Sequence, residues 1–312
     1  MKLQFNQSNQ ITKGPFGLLN TGWRLPMIGL LILLISAGVS ASAVSQTVVN
    51  DKLSAVQPSE GGVGTGLRQI KISPDGKYAV YVDYQTVTGS SSSPSAGQLY
   101  SVPLDGSTPP NLLSDLLPEG INVLSFQISP NSDYVVYRHS QAADKLRLFS
   151  VSITGGTINA LNQATDPNAS IDYYNISPDG TYVIFTERMT NEATDSIDVD
   201  LYRIPIEGGA AVRLNDAQLN LAPALPFEIS PDGAYIVFYV TLNNSFRFFD
   251  LYSVPVVGAG TENVKLNNTV MADEDRLGKF YISPNSRYVV YSIGSNPPDA
   301  PEFTRILRTP IE

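Results

Sequence analysis

From residue 68 onward the apolar positions fall in short blocks, not along a helical stripe. Five blocks of four residues carry no polar alternation: Tyr78-Ala79-Val80-Tyr81, Tyr134-Val135-Val136-Tyr137, Tyr182-Val183-Ile184-Phe185, Tyr235-Ile236-Val237-Phe238 and Tyr288-Val289-Val290-Tyr291. Unbroken β-branched and aromatic runs of this length predict strands covered on both faces. Ile-Ser-Pro precedes each block, with its Ser at 73, 129, 177, 230 and 283. Asp-Gly or Asn-Ser then leads into the block, and these pairs mark tight hairpin turns because Gly and Asn tolerate positive φ. Another short strand stands before each turn. A third follows a variable loop: Leu99-Tyr100-Ser101-Val102, Leu148-Phe149-Ser150-Val151, Leu201-Tyr202-Arg203-Ile204, Leu251-Tyr252-Ser253-Val254 and Ile306-Leu307-Arg308-Thr309. A fourth ends on Leu113-Ser114, Leu161-Asn162, Leu214-Asn215 and Leu266-Asn267. No stretch after residue 60 keeps a helical period.

The Ser-to-Ser spacings are 56, 48, 53 and 53 residues. Four short antiparallel strands repeated at that interval describe a propeller blade. A β-sandwich would alternate polar with apolar residues and would not repeat. The predicted fold class is therefore all-β, a β-propeller of four-stranded antiparallel blades. The repeats start near residues 68, 124, 172, 225 and 278. Five repeats leave two architectures open: a closed five-blade ring, or part of a six- to eight-blade ring. The fifth repeat reaches Glu312 without a fourth strand. Thr47-Val48-Val49-Asn50-Asp51 matches Val212-Arg213-Leu214-Asn215-Asp216 in type and order, so a strand from the start of the chain could complete the last blade.

The pattern of Ile-Ser-Pro-Asp-Gly, Tyr-Val-Val-Tyr, Leu-Tyr-Ser-Val-Pro and Leu-Asn resembles the TolB-type WD40-like β-propeller repeat family, across residues about 47–312. The resemblance implies the propeller fold. It does not single out a function, because members of the family include interaction scaffolds, envelope components and appended domains of peptidases.

Composition narrows the chemistry. The 312 residues hold 29 acids, 20 bases, one His and no Cys, for a net charge of −9. That balance argues against nucleic acid, which demands a basic surface. Without Cys there is no disulfide, thiolate metal site or thiol nucleophile. Residues 1–43 contain no acid and three bases, Lys2, Lys13 and Arg24. An apolar run from Met27 to Val39 follows, and Ala41-Ser42-Ala43 has the small-x-small form of a secretory cleavage site. Residues 1–43 are thus read as a signal peptide, or as an uncleaved anchor, and residues 44–312 as the propeller.

No nucleophile elbow is present. His139 reads as a loop residue just past a strand end. Asp195, Asp198 and Asp200 enter a third strand, and Asp273, Glu274 and Asp275 lie between blades 4 and 5. These acids raise the question of calcium, but the spacing of a helix-loop-helix calcium loop is missing. No catalytic residue, cofactor or metal site is assigned. The expected function is a secreted or periplasmic binding scaffold for a protein or cell-envelope partner, with membrane contact only through an uncleaved leader. Its expected contacts are Arg138, Asp195, Asp198, Asp273, Glu274, Asp275 and Arg276, because variable loops on a rigid frame are where binding residues gather. The alternative is a substrate-gating propeller of a longer peptidase-like enzyme.

Overall fold

Each Ser-Pro turn closes on its own serine. The computed structural model describes residues 67–85, 96–118, 120–140, 145–162, 169–191, 196–219, 221, 226–242, 245–258, 262–267, 275–295 and 303–312. In the first turn the Ser73 N–H donates to the Tyr78 carbonyl and the Gly76 N–H to the Ser73 carbonyl. Ser73 Oγ accepts from the Tyr78 N–H and donates to Asp75. The pattern returns at Ser177 and Ser230. Gly76, Gly180 and Gly233 have φ of 72°, 75° and 74°, and Ser132 and Ser286 take the same left-handed backbone at 67° and 58°. The two serines are compensated. Ser132 Oγ accepts from the Asp75 N–H of the preceding blade at 3.1 Å, and Ser286 Oγ does the same for Asp232.

Five antiparallel sheets follow the predicted order. Blade 1 comprises β1 (Leu67–Ile72), β2 (Tyr78–Gln85), β3 (Ala96–Pro103) and β4 (Asn111–Leu112). Blade 2 comprises β5 (Val123–Ile128), β6 (Tyr134–Ser140), β7 (Leu146–Ser152) and β8 (Asn159–Ala160). Blade 3 comprises β9 (Ser170–Ile176), β10 (Tyr182–Asn191), β11 (Ser196–Pro205) and β12 (Val212–Arg213). Blade 4 comprises β13 (Glu228–Ile229), β14 (Tyr235–Leu242), β15 (Ser245–Pro255) and β16 (Val264–Lys265). Blade 5 has β17 (Asp275–Ile282), β18 (Tyr288–Ser295) and β19 (Phe303–Pro310), with no fourth strand among the described residues. The leader and Thr47–Asn50 lie outside the described residues. Among the described residues no helix is long and apolar enough to cross a membrane.

Neighbouring blades share cores because alternate residues of the second strand face opposite neighbours. Val135 and Tyr137 pack with Val80, Val82 and Leu99 of blade 1, while Val136 packs with Val183 and Phe185 of blade 3. The same division places Ile184 with Ile236 and Phe238, and Val237 with Val289 and Tyr291. Fully buried side chains of this size contribute about 1.5–3 kcal/mol each.

Polar straps cross the same seams. Lys71 Nζ donates to the Phe126 carbonyl and Gln127 Nε2 to the Tyr174 carbonyl, joining successive first strands. Ser101, Ser150 and Ser253, each one residue past the aromatic of a third strand, donate to the carbonyls of Ile153, Ile206 and Ile311 in the next blade. Arg203 holds that place in blade 3 and lies over the Tyr182 ring instead.

The end blades differ. Ile70 is 63% exposed where Phe126, Tyr174, Phe227 and Phe280 are buried against a preceding blade. Ile306 is 74% exposed where Leu99, Leu148, Leu201 and Leu251 are fully buried.

Candidate functional site

Opposite the Ser-Pro turns, blades 1 to 4 carry polar groups on their second and third strands. Two residues past the second-strand aromatic stand Asp83, His139 and Glu187, opposite Gln98, Arg147 and Asp200 of the third strand. In blade 4 Asp250 lies opposite Val240. Beside these groups the fourth strand ends on Ser114, Asn162, Asn215 or Asn267, all buried. This end residue caps the third strand. Ser114 Oγ accepts from the Leu99 N–H at 3.1 Å, and the Oδ1 atoms of Asn162, Asn215 and Asn267 accept from Leu148, Leu201 and Leu251 at 2.8–2.9 Å.

The other half of each cap needs a partner as well, since a buried amide left unpaired is costly. Ser114 Oγ donates to Gln98 Oε1, Asn215 Nδ2 to Asp200 Oδ1 and the Leu219 carbonyl, and Asn267 Nδ2 to Asp250 Oδ1. Arg213 and Lys265 then neutralise Asp200 and Asp250. Blade 2 departs from this rule. Arg147 stands where the other blades have Asp200 and Asp250, and a guanidinium accepts no hydrogen bond. Asn162 Nδ2 is consequently buried with no partner. Asn162 lines a cavity of about 320 Å³ between blades 2 and 3, whose other walls are Leu161, Phe185, Glu187, Tyr202 and the turn Gly209–Ala211.

Burial sets the electrostatics nearby. It holds the His139 imidazole below its ordinary pKa, opposed by the Ser140 carbonyl that Nδ1 contacts at 2.7 Å. Burial raises the Asp172 carboxyl, while the Arg188 and Arg138 guanidinia oppose the rise. Burial raises the Tyr202 phenol, and the carboxylates of Asp200 and Glu187 add to that rise.

The residues expected as contacts are dispersed. Arg138 is half-buried, and its Nη1 donates to the carbonyls of Ile171 and Asp172, so it straps blade 2 to blade 3. Asp198 is exposed on β11, opposite Met189 of β10. Asp275 and Arg276 open β17, opposite Ser295 and Gly294. Asp195, Asp273 and Glu274 lie outside the described residues. Among the described residues no three His, Asp or Glu side chains converge on a point that could hold a metal ion.

His139 corrects an expectation: it lies inside β6, 8% exposed and stacked on Phe149 at 4.6 Å. Nothing in the sequence marks Asn162, Glu187 or Tyr202 singly as a site residue. The available signal was the Leu-Asn ending of each repeat, read together with the residue before the third-strand Leu.

No family model matches the sequence, and no curated protein matches it. Solved structures do. A putative TolB from Agrobacterium tumefaciens is 21% identical, with a TM-score of 0.43, over 79% of this chain and 78% of that one. TolB from Acinetobacter baumannii is 17% identical, with a TM-score of 0.40, over 74% of this chain and 52% of that one. Dipeptidyl peptidase 4 from Porphyromonas gingivalis is 12% identical, with a TM-score of 0.52, over 77% of this chain and 35% of that one. The fold is a β-propeller. Its structural neighbours are TolB-type and other propeller proteins. At these identities the likeness concerns fold, and this propeller spans about a third of the peptidase.

Proposed function

We propose that this propeller is an exported, non-enzymatic binding scaffold that meets a protein or cell-envelope partner through one end. The observation that carries this reading is the contrast between the two ends of the blades. At one end stand five near-identical turns, two neighbouring pairs of which are bonded to each other, Asp75 to Ser132 and Asp232 to Ser286. At the other, the second and third strands are joined by segments of very different length: 86–95, 141–145, 192–195, 243–244 and 296–302. A rigid frame carrying variable connections is built for recognition.

Asp198, Asp275 and Arg276 belong to the variable end, and Asp195, Asp273 and Glu274 flank it in sequence. Charge reversal at Asp198 and Asp275, followed by cross-linking in intact cells, tests the reading. The parent should yield a discrete cross-linked partner that the reversed variant loses, while Gly76→Ala at the opposite end keeps it. Equal cross-linking by both variants would overturn the assignment of the binding end. Export rests on the leader: mass spectrometry of the exported protein should find Val44 as the first residue, and an intact amino terminus in the membrane fraction would favour the anchor.

A second reading, a substrate-gating propeller of a longer peptidase-like enzyme, is favoured by the dipeptidyl peptidase 4 match, which covers 77% of this chain but 35% of that one. Reading the coding sequence past Glu312 for a nucleophile elbow tests it.

A further inference from the structure

We propose that the cavity between blades 2 and 3 binds one neutral sugar unit, an activity independent of the scaffold reading above. The observation that points to a ligand is Asn162. It lines the cavity and is 7% exposed, its Oδ1 is committed to the Leu148 N–H, and its Nδ2 is left as a buried donor without an acceptor. The Oδ1 bond fixes the orientation of the amide, so rotation of the group cannot relieve it. The equivalent amides in blades 3 and 4 are fully bonded within the protein.

The walls define what can enter. Asn162 Nδ2 asks for an acceptor, which a simple alkylammonium lacks. Glu187 adds a carboxylate to the lining, which repels a phosphate or a second carboxylate. Groups that donate and accept at once satisfy both, and hydroxyls do so. Phe185 and Tyr202, stacked on each other at 5.5 Å, give an aromatic wall for the C–H face of a sugar ring. Ala210 and Ala211 keep the rim low. A volume of about 320 Å³ lies at the small end of ligand pockets and suits one ring, not a chain of several.

The test uses the full chain, labelled with ¹⁵N. D-Glucose, D-galactose and N-acetyl-D-glucosamine are titrated while the Asn162 side-chain amide and the Ala210 and Ala211 backbone amides are followed. Inorganic phosphate and ethylammonium serve as counter-probes. At least one sugar should give saturable shifts at all three positions. Asn162→Ser keeps a cap of the kind Ser114 provides in blade 1 but replaces the amide donor with a shorter hydroxyl that does not reach the same point, and should weaken binding about tenfold. Glu187→Gln should weaken it by a smaller factor. Ala210→Phe fills the mouth from an exposed turn and should abolish it, which keeps the test decisive if Asn162→Ser loses its fold. A cavity that holds only water would show no shift with any sugar, and that result overturns the proposal. So does preferential binding of phosphate or ethylammonium, or sugar binding that survives Ala210→Phe.

Discussion

Alanine at each of the three Asp-Gly turns separates backbone strain from crowding within one protein. Gly76, Gly180 and Gly233 share the same left-handed backbone, within three degrees of φ. Holding an L-residue there costs about 1–2 kcal/mol. The surroundings differ. A Cβ at Gly76 meets nothing within 4 Å, and at Gly233 it lies 3.5 Å from Pro178 Cδ, an ordinary contact. At Gly180 it lies 3.0 Å from both Cγ and Oδ1 of Asn131, the turn residue of blade 2. Asn131 Oδ1 accepts from the Asp133 N–H, so moving it aside costs a further ~1 kcal/mol. Gly76→Ala and Gly233→Ala should each lower the melting temperature by about 2–6 °C, and Gly180→Ala by about 2–4 °C more than either. Differential scanning calorimetry reads all three. In an Asn131→Ala background the excess at Gly180 should vanish, because the crowding atoms are gone. Equal losses at the three turns, or a Gly180 excess that survives Asn131→Ala, would refute the reasoning.

Ser132→Ala keeps the positive φ and loses the bond from the Asp75 N–H, so it should cost about 1–2 kcal/mol in urea unfolding, whereas Ser132→Gly loses the bond but relieves the backbone strain and should be near neutral. Asp250→Ala strands the fully buried amide of Asn267 and should cost about 1–3 kcal/mol by the same measure. His139 is the only histidine and burial holds its pKa down, so the unfolded chain protonates it before the folded chain does. Stability is therefore complete above the ordinary value of 6.5 and falls as the pH drops through it. Asp83, Asp172 and Glu228, all raised by burial, act with the opposite sign, but they cancel in the difference between parent and His139→Gln. The parent should thus lose more melting temperature than the variant between neutral pH and about pH 5; parallel curves would show that His139 contributes nothing.

The blades were legible because each repeat carries its own turn chemistry. Ser, Pro and a residue tolerant of positive φ stand at fixed distance from an apolar run, and local sequence is enough to close that hairpin. Long-range partners were not legible. Ser101, Ser150 and Ser253 recur in the third-strand pattern, yet the isoleucine carbonyls they reach belong to the following blade. Arg138 reads as a surface cation by type, and only the packing of β6 against β9 shows its guanidinium bonded to two carbonyls. The apolar run ends at Tyr137, which makes His139 read as a loop residue, whereas β6 continues to Ser140 and the ring stacks on Phe149. The cavity depended on a mismatch between Asn162 and Arg147, neighbours across a sheet and each unremarkable alone.

The interlocking turns also constrain how such a chain can grow by tandem duplication. A blade with an Asn-Ser turn fits after an Asp-Gly turn, since its serine reaches back to the Asp75 or Asp232 N–H. A Gly-bearing blade follows an Asn-Ser turn, as Gly180 follows Asn131, and Gly233 shows that it can also follow another Asp-Gly turn. Copying blade 2 beside itself would set a serine Cβ against an asparagine where only glycine now fits. Copying blade 3 would repeat the contact that Gly233 already makes. Duplication is therefore tolerated unequally along the array, and the order of the two turn types records which blades could have served as templates.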